Sequence, residues 1–336
     1  MSGVDARRRA GLFLAVLAAG FCLSCSGPVV TAVGNSNDMV VVGDAGRPST
    51  TLLVSAMETP SEWLIGEPAF DTVVTGADRV GDLRNIRHVV LVGTWDSDVA
   101  HLARQAFPRL GREDPVMLRT TRDVWAKRQV VGVLLAETEK QLAAYIEERR
   151  SELASAFERA SINRLADDLR ETAEEAGMAG ALQERFGWSI APPTGYDFFT
   201  TSSEEGFVFF RRTGPDRSVF VYWTEGGDDL VTADFALTTR EELAAKYYDG
   251  DETERRRPLL TETVDFLGFD AVRISGWWGN KELVGGGPFR TYCFRVEPQG
   301  RVYLLDVSLF APSYDKIPLM RNLDAVAHTF TPALPD

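Results

Sequence analysis

The apolar pattern of this chain changes period once, near Phe186, and that change bounds what it can fold into. Between Asp38 and Glu137, short β-branched runs alternate with helical stretches. Val40–Val42, Thr72–Val74, His88–Val92 and Gln129–Ala136 read as buried strands, and Val99–Phe107 reads as a helix stopped by Pro108. Strands that alternate with helices imply an α/β layer. Thr138 and Gln141 then form a capping box, and Leu142, Ile146, Leu153, Phe157, Leu165 and Leu169 recur at helical spacing. This predicts one long amphipathic helix over 138–176, interrupted near Ser161–Asn163, with its stripe on its own sheet.

From Phe186 onward the period is two. Phe207–Arg212, Val219–Trp223, Ala271–Trp277, Phe289–Val296 and Val302–Phe310 read as antiparallel strands, with turns at Gly214–Asp216 and Pro298–Gly300. Thr238 and Glu241 suggest a capped helix through Tyr248, and a last helix begins near Pro318 with Leu319, Leu323, Val326 and Phe330 on one face. The expected architecture is an α/β domain over 38–180 joined by its long helix to an α+β domain over 186–332, with the boundary at Gly180–Gly187.

Residues 1–24 read as an export signal. Arg7, Arg8 and Arg9 precede an apolar run from Gly11 to Phe21, which is too short to span a bilayer, and Cys22-Leu23-Ser24 leads into Cys25. The segment resembles a bacterial lipoprotein signal, which implies cleavage before Cys25 and diacylation of its thiol. Cys22 departs from the aliphatic residue that motif expects, and a secretory signal cut after Gly20 is the competing reading. Two acyl chains at about 0.8 kcal/mol per buried CH₂ hold a protein to a membrane permanently. Ser26 follows the cysteine where an aspartate would retain the protein in the inner membrane, and residues 26–37 carry no charge. The resemblance therefore implies an outer-membrane protein facing the periplasm, on a tether over 25–37.

Removing residues 1–24 takes away three arginines and one aspartate, leaving 33 basic against 48 acidic residues. Such a surface repels nucleic acid and anionic headgroups, so the membrane partner is reached through Cys25 and nucleic acid is no partner. Only Cys293 remains after processing, which excludes an internal disulfide, and its alternating strand context makes it a buried thiol.

Several stretches carry a family resemblance: Phe186 to Tyr196, Arg211-Arg212 followed by Val219–Trp223, Gly286–Phe289, and upstream Arg84-Asn85-Ile86 and Val124-Trp125-Ala126. Together they resemble family 4837 of the domains of unknown function, found in bacterial envelope lipoproteins, over nearly the whole mature chain. The order of elements after Trp188 is also similar to the PsbP-like fold. Neither resemblance implies an activity.

Motifs of catalysis fail on inspection. Gly187-Trp188-Ser189-Ile190-Ala191 is near a nucleophile elbow, but Pro192-Pro193 forbids the helix that must follow. The acidic turn from Asp249 has Glu254 where a calcium loop needs glycine and Leu260 where it needs a bidentate acid. His88, His101 and His328 lie at no metal-ligand spacing, so no metal or cofactor is expected. The candidate ligand site is the segment holding Trp277, Trp278, Asn280, Gly285, Gly286 and Gly287, where one exposed indole beside accessible glycines would suit a sugar ring or an extended peptide. The chain thus reads as a non-catalytic binding or scaffolding component of the envelope, with a peptide, protein or glycan partner. A hydrolase or transferase using a carboxylate pair on an envelope polymer is the alternative, because acidic pairs are invisible in sequence.

Overall fold

The valine runs of the first half pack as the alternation of a strand requires, odd and even positions facing opposite layers. The computed structural model describes residues 30–333 apart from 62, 63, 65, 83, 176, 177, 201–205, 249 and 283. The export segment, Cys25, the start of the tether and Asp249 lie outside the described residues.

The first half runs β1 (Asp38–Val42), α1 (Pro48–Met57), β2 (Asp71–Thr75), β3 (His88–Thr94), α2 (Asp98–Ala106), β4 (Arg119–Arg122), β5 (Val130–Ala136), α3 (Glu139–Glu148) and α4 (Arg150–Glu175). Its strands lie in the order β2-β1-β3-β5-β4. All neighbours are parallel except the edge strand β4. Met39, Val41, Val90 and Leu134 pack under α1, α3 and α4, whereas Val40, Val42, Val89 and Leu91 pack under α2.

The second half runs α5 (Met178–Phe186), β6 (Trp188–Ser189), β7 (Asp197–Thr200), β8 (Phe207–Arg212), β9 (Asp216–Glu225), α6 (Ala233–Tyr247), β10 (Glu252–Thr253), β11 (Leu260–Phe266), β12 (Phe269–Asn280), β13 (Gly285–Val296), β14 (Arg301–Phe310), α7 (Lys316–Ala327) and β15 (Thr331–Pro332). The main sheet follows β10-β12-β13-β14-β9-β8-β7, with β11 also on β12, and every pairing in it is antiparallel. One face lies under α6 through Phe220, Phe289, Ile274 and Leu304. The other packs on α7 and α5 through Tyr292, Phe294, Leu305, Leu323 and Phe186. The fold class is therefore α/β followed by antiparallel α+β, and the element order after Trp188 is that of the PsbP-like resemblance.

Three local expectations are corrected. The helix over 138–176 is two helices, broken at Arg149 rather than near Ser161. The capping box at Thr138 is present, but neither glycine nor proline marks the break, so packing sets it: Leu142 and Ile146 seat one segment, Leu153 and Phe157 the other. Ser161 continues α4 and bonds His88 Nε2 at 2.8 Å. Helix α6 starts at Ala233, where the Thr232 hydroxyl accepts from the Phe235 N–H at 3.2 Å, leaving Thr238 inside the helix. Gly285–Gly287 belong to β13 rather than to a loop.

Helix α4 touches both cores, Phe157 in the first and Leu169 against the second. Further contacts join the halves. The Glu67 carboxylate accepts from the N–H groups of Lys316 and Ile317 at 2.6 and 2.8 Å, capping α7 from the other half of the chain. Arg321, buried on α7, donates to the carbonyls of Ser36 and Ala69 and reaches Glu158 at 3.4 Å.

Candidate functional site

Strand alternation divides the six residues of the expected site between two faces. Trp278 and Asn280 share the face of α6, and Trp277 faces the α7 side, where the Arg257 guanidinium lies 4.0 Å from its ring centre. Both rings are half-buried, so the division into one core and one surface indole does not hold. Trp278, Asn280 and Gly285 line a cleft of about 270 Å³ beyond the C-terminal end of α6. Trp277, Gly286 and Gly287 are not part of its lining.

The glycines have a packing cause. A Cβ on Gly287 would lie 1.8 Å from the Leu309 carbonyl oxygen, and one on Gly286 would lie 2.7 Å from that of Trp278. Gly285 is different, because its Cβ would only touch the Phe310 ring at 3.4 Å. Bare backbone here lets Phe310 and Trp278 lie close over β13, with ring centres 6.1 Å apart. The Trp278 indole N–H donates to the Leu309 carbonyl at 3.2 Å, which fixes the ring.

The floor of the cleft is polar. Ser218 on β9 and Ser308 on β14 are register partners, and their hydroxyls share one hydrogen bond of 2.6 Å. One shared bond leaves this pair a further O–H and several lone pairs, with the Tyr248 hydroxyl beside Ser218 as the neighbouring claimant on them. At the rim, Arg211 binds Asp216 through Nε at 3.0 Å, and the Asn280 amide donates to Asp251 at 2.9 Å. Tyr247 and Tyr248 close the side nearest α6, Tyr248 edge-on to Phe209 at 4.8 Å. Burial raises the Tyr248 phenol well above its ordinary range and Asp306 adds to this, against a smaller pull from Ser218. Its buried hydroxyl makes no hydrogen bond of normal geometry among the described residues.

A second, larger crevice of about 720 Å³ lies at the carboxyl ends of β1, β2, β3 and β5. Open parallel sheets bind ligands at such ends, where the strand order reverses, here between β1 and β3. No motif in the sequence signals it. Several of its polar groups are already engaged. Glu139 accepts from the Ser49 N–H at 2.7 Å, Arg112 pairs with Asp96 and with Glu137, and Asp44 accepts from the Gly46 N–H at 3.0 Å.

The remaining titratable groups serve the cores. Cys293 is buried on β13, and burial pushes its thiol up to about 12. His88 bonds the Asp38 carbonyl and Ser161 between the rings of Phe70 and Phe157. His328 bonds the Asp324 carbonyl, and His101 is exposed on α2. Two buried ion pairs pin helices to the second sheet, Arg240–Asp306 at 2.9 Å for α6 and Arg290–Asp324 at 2.5 Å for α7. Burial pushes Asp306 up against its arginine, whereas at Asp324 burial is outweighed by Arg290 together with His328, the Tyr292 hydrogen bond and Arg273, which hold the acid below its ordinary range. Asp71 is raised by burial and then by Asp38 and Asp315, and it lines neither cleft. No group of three His, Cys, Asp or Glu that could hold a metal exists among the described residues.

Two domains of unknown function account for most of the chain. Residues 175–329 match DUF4837, and residues 32–170 match DUF8532. A DUF4837 domain is therefore present, with the cleft inside it. The segments at Arg84–Ile86 and Val124–Ala126 fall in the other match, so the family resemblance covers the second half and not the whole. Residues 180–187 lie in α5 and the turn after it, inside the DUF4837 match.

Solved structures similar to this chain at low identity include the following three. One is a crystal structure from Bacteroides thetaiotaomicron, with 11% identity and a TM-score of 0.27 over 44% of this chain and 45% of that one. The chain thus spans under half the length of that protein. The Ran-binding protein Mog1p of Saccharomyces cerevisiae gives 12%, 0.32, and coverages of 44% and 91%. LpqN of Mycobacterium tuberculosis, described as involved in cell envelope biogenesis, gives 15%, 0.28, and coverages of 43% and 82%. No curated protein matches the chain.

Proposed function

We propose that this protein is a lipid-anchored component of the cell envelope, held in the outer membrane through diacylated Cys25, and that it binds a peptide or glycan ligand in the DUF4837 cleft without turning it over. The observation that carries the reading is the cleft itself, in which the rings of Trp278, Phe310, Tyr247 and Tyr248 surround two hydroxyls with hydrogen-bonding capacity to spare. Apolar walls with a few convergent polar groups are the general form of a small-ligand site. Its carboxylates, Asp216 and Asp251, are already bound to Arg211 and Asn280, which favours binding over acid–base chemistry. The basic, apolar, cysteine-ended leader supports the anchor.

A photocrosslinking residue at position 310, in the cleft wall, tests the site in intact cells. It captures a discrete adduct under this reading, and the same probe at position 277, on the opposite face, does not. Equal capture at both positions, or none at 310, removes the cleft as the ligand site. The anchor is tested separately by Cys25→Ser, which releases the protein from the membrane fraction or leaves it as precursor. Unchanged fractionation, with cleavage after Gly20, overturns the lipid anchor.

A further inference from the structure

The cleft discriminates between the two ligand classes that the functional reading leaves open, and this step rests on that reading. Apart from Tyr247, Tyr248 and Asp251, its lining comes from β12, β13, β14, β9 and β8, which are consecutive across the sheet. β13, β14 and β9 are each paired on both sides. An extended peptide gains affinity by adding main-chain hydrogen bonds to an open sheet edge. The cleft lies instead across the ends of strands inside the sheet, where aromatic and hydroxyl side chains make most of its lining.

Those side chains suit a neutral, hydroxylated ring. The Trp278 indole, fixed by its bond to Leu309, offers an apolar face beside Phe310. The Ser218–Ser308 pair offers both donor and acceptor capacity on the floor. The rim offers an anion no counter-charge, because Arg211 is engaged by Asp216 and the other ionisable rim group, Asp251, is itself acidic. An anionic terminus or side chain would lose its hydration there without gaining a counter-charge. A volume of about 270 Å³ falls just below the range for drug-sized ligands, which fits one ring and not several.

We infer that the cleft binds a single neutral pyranose unit of a glycan, stacked on Trp278 with its hydroxyls directed at Ser218 and Ser308. The probes are glucose, galactose, mannose and N-acetylglucosamine, each as monosaccharide and β-linked disaccharide, with an uncharged tetrapeptide for comparison. Saturation-transfer NMR and tryptophan fluorescence on the mature chain report binding. At least one sugar binds saturably. Ser308→Ala, which hardly alters volume, weakens it about tenfold, the loss of one hydrogen bond. Phe310→Ala weakens it by a similar factor, and Trp278→Ala by about thirtyfold or more. Trp277→Ala leaves affinity unchanged.

Absence of saturable binding by every sugar overturns the inference, as does affinity that survives in both Ser308→Ala and Phe310→Ala. Binding of the tetrapeptide in place of the sugars, lost in Phe310→Ala, overturns the sugar class while leaving the cleft as the site. Failure of the position-310 crosslinker in cells instead removes the site.

Discussion

The Arg321 guanidinium of α7 lies 4.3 Å from the centre of the Phe70 ring, across the junction between the two halves of the chain. Phe70 belongs to the first core, packed edge-on against Phe157, while α7 packs on the second sheet. A buried arginine with two carbonyl partners and a ring face is costly to assemble and costlier to break. Burial lowers its pKa, and Glu158 opposes that shift.

Arg321→Met keeps the aliphatic stem and removes the donors, leaving the carbonyls of Ser36 and Ala69 without their partner. The expected cost is about 2–5 kcal/mol. The halves of the wild type should unfold together. In the variant, denaturation followed by probes in the first half (Trp95) and the second (Trp188) should separate into two curves. Coincident curves at unchanged midpoint would mean that α4 alone couples the halves.

Glu67 gives a second, milder handle on the same junction. Its carboxylate caps α7 and also lies 3.5 Å from the Lys316 ammonium. Glu67→Ala should cost about 1–2 kcal/mol, and Glu67→Gln, which retains an acceptor without the charge, about half as much. Chemical denaturation at low and high salt separates the two contributions, since only the charge term is screened. Equal losses in both variants would assign the whole effect to charge.

The central strands were legible in the sequence because β-branched runs and period-two alternation have few other uses, whereas β4, β7 and β11 were not legible. The change of period near Phe186 follows the change from parallel to antiparallel sheet. Helix α1 was not legible. Its Thr50-Thr51-Leu52-Leu53-Val54 core favours a strand by propensity, and packing of Leu53, Ala56 and Met57 against the sheet overrides it. The cleft was half legible. Alternation separates Trp277 from Trp278, but Ser218 and Ser308 are 90 residues apart and meet only because β9 pairs with β14. Glu67 and Ile317, 250 residues apart, were beyond reach for the same reason.

His88 makes stability depend on pH in a definite direction. Burial, with Arg321 adding to it, lowers its pKa from 6.5 to about 3 in the fold. Between those values the unfolded chain binds a proton that the folded chain does not, so stability is complete above pH 6.5 and falls as the pH drops. The slope from this group is up to about 1.4 kcal/mol per pH unit. His88→Gln can still bond the Asp38 carbonyl and Ser161 but carries no titrating proton. Its stability should therefore fall by about 2 kcal/mol less than the wild type's between pH 6 and 4.5. Denaturant titrations at four pH values measure both slopes. Parallel slopes would show that His88 is protonated in the fold.

Two neighbouring glycines should respond oppositely to the same substitution. Gly287→Ala places a methyl carbon 1.8 Å from the Leu309 carbonyl oxygen, a main-chain atom that cannot swing away. The two chains must part just beyond the Phe289–Ser308 end of the β13–β14 ladder, at about 3 kcal/mol or more, and the Trp278 indole, which bonds that same carbonyl, must move with them. Gly285→Ala meets only the Phe310 ring at ordinary contact distance. Its stability should stay within about 0.5 kcal/mol of wild type, while the methyl group narrows the cleft and weakens any occupant. Thermal unfolding with tryptophan fluorescence distinguishes the two. A Gly287→Ala protein of wild-type stability and unshifted fluorescence would show that Gly287 and the Leu309 carbonyl do not lie so close, and the cleft geometry that depends on that approach would fall with it.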